Sequence, residues 1–124
     1  MTAYDGGCHC GTVRFSLTKK TAVREAVACN CSLCRKKGIL IVPAEEDEIT
    51  VTAGREELTE YRFGTRTASH WFCRHCGIHV ITRPRSNPER LGVNARCFDD
   101  FLILESDLTL VPFDGMNHPK DRQT

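Results

Sequence analysis

The chain has 124 residues, 40% of them hydrophobic and 27% charged, with a formal charge of +1. That length suits one domain spanning residues 1–124, with a modest core that a metal clip would help. The near-neutral balance leaves no electrostatic footprint for nucleic acid or an anionic membrane, and no run approaches the ~20 apolar residues of a membrane span.

In chain order, residues 12–17 alternate as a half-buried strand does. Residues 39–42 form a short apolar run that Pro43 is expected to close, which suits a strand buried on both faces. Residues 48–52 alternate and end at Ala53-Gly54, and residues 58–63 read as their hairpin return. Residues 67–72 and 78–81 flank a cysteine pair, and residues 90–94 and 108–111 complete the strands. Helix signal is confined to one turn at residues 32–37 and a short one at 99–104. The polar tail, residues 117–124, is expected to be loosely held. The fold class is therefore mostly β.

The N-terminus has no apolar signal-peptide segment, so a cytoplasmic location is expected. In a reducing compartment eight cysteines are not four disulfides, and their spacing must be read as metal or redox chemistry.

Two pairs stand apart: Cys8-His9-Cys10 between glycines, and Cys73-Arg74-His75-Cys76 followed by Gly77. The second has the shape of a zinc knuckle, in which a glycine lets the backbone turn its N–H groups toward the sulfurs. Four thiolates from Cys8, Cys10, Cys73 and Cys76 would make a closed, structural tetrahedral site. It would tie segments more than 60 residues apart, which is how a metal stabilises a small core. A redox pair at Cys73 and Cys76 is the alternative; such a motif usually opens a helix, whereas the flanks here read as strand–turn–strand.

Cys29-Asn30-Cys31-Ser32-Leu33-Cys34 places three more thiols in six residues. Three ligands with one open position is the pattern of a reactive zinc site, and Arg35, Lys36 and Lys37 follow to offset the negative charge. Three thiolates weaken zinc as a Lewis acid toward carbonyl or water and suit it to holding a fourth, exogenous thiolate. Two other readings stay open: Cys97 or one of His9, His70, His75, His79 and His118 completes the site, or the thiols are free. His70 and Trp71 are placed to line a pocket beside this site, Arg96 is a cation that could meet a substrate carboxylate, and Cys97 reads as a small buried residue.

These motifs resemble the glutathione-dependent formaldehyde-activating enzyme family, also called the centromere protein V domain family. Residues 7–15 resemble its opening, Cys29 to Arg35 with Gly38 its second motif, and residues 72–77 its third. Gly92-Val93-Asn94 and Phe113-Asp114-Gly115 are similar to weaker later signatures. The resemblance implies a β-tent-like fold of stacked antiparallel sheets held by a structural zinc at Cys8, Cys10, Cys73 and Cys76. It also implies a second zinc at Cys29, Cys31 and Cys34. The activity implied is that of a carbon–sulfur lyase joining glutathione and formaldehyde into S-hydroxymethylglutathione. The partner would be a small thiol or its aldehyde adduct, with Arg35 or Arg96 meeting its carboxylates. A non-catalytic zinc module that binds a protein partner is the alternative, since a fold does not fix a function.

Overall fold

The structure, a computed structural model, describes residues 1–64, 66–85 and 87–117. Residues 118–124, which include His118 and all but the first residue of the expected loose tail, lie outside the described residues. Among the described residues ten strands form two sheets. The smaller has the order β1 (Thr2–Gly7), β2 (Arg14–Lys19), β5 (Ile49–Ala53), all antiparallel. The larger has seven strands. From one edge they are β10 (Thr109–Phe113), β3 (Glu25–Cys29), β4 (Ile41–Ala44), β9 (Leu91–Asn94), β8 (His79–Arg83), β7 (Ser69–Cys73) and β6 (Leu58–Tyr61). Two short helices, α1 (Ser32–Lys37) and α2 (Phe101–Leu104), complete the elements, with 3-10 turns between strands. Among the described residues no helix is long and apolar enough to cross a membrane.

One core joins the sheets. Alternation in β2 sends Phe15 and Leu17 inward, where they meet Ala26, Val42, Ala44 and Val93 of the larger sheet. Burying side chains of that size stabilises by ~1.5–3 kcal/mol each. The other face of the larger sheet positions the site. Strand register sets His70, Thr82, Gly92 and Pro43 in one row across β7, β8, β9 and β4, with Val27 opposite Ile41 in the next. Gly92 adds no side chain to this row; a Cβ there would lie 2.5 Å from Ile41 Cγ2.

Three expectations change. Residues 58–61 are not the hairpin return of β5: the 3-10 turn Arg55–Glu57 carries the chain to the other sheet, where β6 pairs with β7. Pro43 does not end its strand. It sits inside β4 opposite Gly92, and β4 pairs with β3 at Val27–Ile41 only, so little of the ladder needs its missing donor. Nor are the sheets wholly antiparallel, because β10 runs parallel to β3, from Thr109 beside Glu25 to Phe113 beside Cys29.

Candidate metal centres and the adjoining cavity

Two hairpin loops, one from each sheet, meet at the first cysteine cluster. The loop from β1 to β2 carries Cys8 and Cys10, and the loop from β7 to β8 follows Cys73 and carries Cys76. All four sulfurs lie within 4.8 Å of one another. Cys10 Sγ is 3.6 Å from Cys8 Sγ and 3.7 Å from Cys73 Sγ. Thiolates ~2.3 Å from a tetrahedral zinc lie about 3.8 Å apart, so the donor set fits such an ion. The backbone is turned to suit thiolates: Val13 N–H donates to Cys8 Sγ (3.3 Å) and His75 N–H to Cys73 Sγ (3.4 Å). Gly77, at φ 78°, takes the left-handed conformation that closes this turn, and its N–H donates to the Cys73 carbonyl (2.8 Å). The helix start that a redox pair usually occupies is absent here.

The second cluster is local. Cys29 ends β3, Cys31 caps α1, and Cys34 is buried within that helix. Their sulfurs also lie within 4.8 Å of one another. Cys34 N–H donates to Cys31 Sγ (3.3 Å) and Cys31 N–H reaches Cys29 Sγ (3.5 Å). Hydrogen bonds from Cys29 and Cys34 hold the Cys31 thiol far below the usual thiol range, and the same sharing pushes Cys34 up. A metal bound here would displace the protons that the thiols carry. Segment 113–116 packs over the cluster. Asn30 Nδ2 donates to Asp114 (3.2 Å), and Met116 N–H donates to Asn30 Oδ1 (3.0 Å). Gly115 comes so close that a Cβ would lie 2.5 Å from Cys29 Sγ.

The three thiols open on a cavity of about 530 Å³, which also takes in His70, Thr82, Arg85 and Arg90 among mostly apolar walls. This is the size of small-molecule sites, and an apolar enclosure with a few polar groups is their usual character. His70 is 4% exposed, stacks on Phe63, and among the described residues neither ring nitrogen has a hydrogen-bond partner. Burial, with Lys37 adding to it, lowers its pKa to about 4, so it is neutral at pH 7.

The glutathione-dependent formaldehyde-activating enzyme family model matches residues 3–110. The chain belongs to this family. A Penicillium rubens protein named "Putative glutathione-dependent formaldehyde-activating enzyme" is 27% identical over an alignment of 82 residues that covers 61% of this chain and 41% of that protein. The chain thus spans less than half of that relative's length. A crystal structure of a Rhodobacter sphaeroides protein superposes with a TM-score of 0.77 at 42% identity, covering 87% of this chain and 97% of that one.

Within this member of the family the structure gathers all seven cysteines expected to bind metal into the two expected sets. Among the described residues none of the suggested fourth donors joins the three-thiol cluster. Cys97 is buried and contacts the His79 carbonyl (3.4 Å), His75 faces Glu57 (3.4 Å), and His9 is exposed. The cations on the cavity wall are Arg85 and Arg90, not Arg35 or Arg96. Arg96 Nε donates to the Gly38 carbonyl (2.8 Å) and its guanidinium lies over Phe101. Thr82, Arg85 and Arg90 are not legible from spacing, because strand register brings Thr82 to the cavity and the connection from β8 to β9 brings the two arginines.

Proposed function

We propose that the protein is a zinc-dependent carbon–sulfur lyase acting on the adduct of a small thiol with an aldehyde, of the S-hydroxymethylglutathione kind. The observation that carries this is the unequal pair of clusters: four sulfurs in one, and in the other three that line a ligand-sized cavity. Cys8, Cys10, Cys73 and Cys76 would hold a structural zinc that ties the sheets in the β-tent-like arrangement the family resemblance suggests. Cys29, Cys31 and Cys34 would hold the second ion. When bound, a three-thiolate zinc supplies a position that keeps an incoming sulfur ionised at neutral pH.

The chain's own residues do the rest. The mostly apolar walls surround the reacting carbon, and holding sulfur and carbonyl in one cavity replaces a chance encounter. In the lyase direction the hydroxyl gives its proton to solvent water, an oxygen electron pair forms the aldehyde carbonyl, and the carbon–sulfur bond breaks with sulfur leaving as thiolate. Arg85 and Arg90 are the cations suited to a thiol that bears carboxylates, as glutathione does. Arg90 shares its charge with Glu45 (2.9 Å), and Arg85 donates to the Gly115 carbonyl (3.1 Å). A protein-binding zinc module has no need of a ligand-sized cavity over a three-donor site, so the enzyme reading is favoured.

Titration of glutathione into cobalt-loaded protein tests this. Thiolate-to-metal absorption from the second site should change at millimolar thiol, and the change should vanish in Cys34→Ser. No perturbation in a sample carrying both metals would sink the lyase reading.

A further inference from the structure

The polar groups of the cavity wall connect to the protein surface through a chain whose direction chemistry fixes. Thr82 is 3% exposed and borders the cavity; its Oγ1 lies 2.5 Å from His79 Nε2. His79 is 4% exposed, and its Nδ1 lies 3.2 Å from Lys37 Nζ. Lys37 is the one of the three basic residues closing α1 whose head turns inward, passing over the Phe72 ring.

An ammonium has three hydrogens and no lone pair, so Lys37 can only donate. Nδ1 of His79 must therefore accept, which puts the single hydrogen of the neutral ring on Nε2. Nε2–H then donates to Thr82 Oγ1. Among the described residues His79 is the only side-chain partner of that hydroxyl, so its own hydrogen remains to be given to whatever occupies the cavity. His70 stands across the strand from Thr82, with its ring 5.7 Å from His79, and offers a neutral imidazole beside the same space.

We infer that Thr82 is a catalytic residue whose hydroxyl donates to the aldehyde-derived oxygen of the adduct, and that Lys37 and His79 are positioning residues that aim it. The inference rests on the lyase reading and names the group that meets the oxygen in that reaction. In the condensing direction the thiolate sulfur forms the bond to carbon, and the carbonyl π pair moves onto oxygen. The Thr82 hydroxyl meets that growing charge without reorganising, because its orientation is already set. The oxygen then takes a proton from solvent water, which balances the step. Cleavage runs the same sequence in reverse, with Thr82 stabilising the oxygen as its proton leaves.

The test uses zinc-loaded protein with glutathione and formaldehyde as the probe pair, and measures adduct exchange by NMR. Glutathione binding is followed separately in the cobalt form. Thr82→Val should slow exchange by about 100-fold, the usual effect of removing one such donor, with glutathione binding unchanged. Thr82→Ser should stay within about threefold of wild type. Nitrogen-15 spectra of the histidines should show His79 protonated on Nε2 only. Lys37→Met should remove that preference and slow exchange, whereas Lys37→Arg should preserve both. Wild-type exchange in Thr82→Val, or a proton on His79 Nδ1 in the wild type, would overturn the inference. Wild-type protein that neither binds glutathione nor accelerates exchange overturns the lyase reading itself, and with it the role given to Thr82; the His79 spectrum separates the two failures.

Discussion

A single methyl group at residue 115 should separate the two cysteine clusters in their metal binding. A Cβ there would lie 2.5 Å from Cys29 Sγ and 2.8 Å from Cys31 Cβ, with the Cys31 backbone nitrogen at 3.2 Å. Gly115→Ala should therefore lose the metal of the three-thiol site and keep that of the four-thiol site, as metal analysis per chain would show. Retention of both ions would mean that the segment over the thiols yields easily. His79 makes a second residue-scale prediction. Burial first, then Lys37 and His70, lowers its pKa to about 3, against an ordinary value of 6.5. Between those values the unfolded chain takes up a proton that the folded chain refuses. Stability from this group is thus full above pH 6.5 and falls as pH drops through the window, by at most ~1.4 kcal/mol per pH unit. His79→Gln should melt with a shallower pH dependence than wild type between pH 7 and 5; parallel slopes would show that His79 protonates while folded. The two cysteine clusters were legible because such sets declare themselves by spacing and by the turns beside them. The chain from Lys37 through His79 to Thr82 was not, because its three members meet only once α1 is laid against β8.

The cysteine loops differ in what they join, and that difference sets the cost of breaking each. Cys76 belongs to a hairpin loop of the larger sheet that meets a loop of the smaller one, and Cys10 and Cys73 are 63 positions apart. Cys34 lies within six residues of its partners on β3 and α1. Cys76→Ser should cripple folding, whereas Cys34→Ser should shift the melting temperature by only a few degrees, since closing a long loop constrains the chain far more than closing a local one. Equal destabilisation in thermal melts would mean the sites have been assigned the wrong way round. Strands β2, β5, β8 and β9 and helix α1 were readable within a residue or two, because alternation and apolar runs report burial directly. Strand β1 was invisible: Thr2–Gly7 ends in Asp-Gly-Gly and earns its place only by pairing with β2. The partner of β6 and the parallel alignment of β10 were equally hidden, since register between distant strands leaves no local periodicity.

At the scale of the molecule, the two clusters predict stepwise metal loss. Four thiolates with backbone N–H donors should hold zinc more tightly than three that face a cavity. A mild chelator should strip one ion first and leave the circular dichroism unchanged, and only stronger chelation should unfold the chain. Simultaneous loss of both ions with unfolding would contradict separate roles. The family and its mostly-β class were legible in sequence because three cysteine motifs stand in order. The cavity was not, because its walls come from segments scattered between Val27 and Met116. The parallel seating of β10 beside β3 also has a consequence for biosynthesis. Residues 8–76 contain the whole four-sulfur set, so a nascent chain can gather it before residues 109–116 have emerged. The three-sulfur cluster has all its donors by residue 34, yet its cover arrives only with residues 109–116. Those three thiols thus stay uncovered during synthesis until β10 emerges and brings residues 113–116 over them.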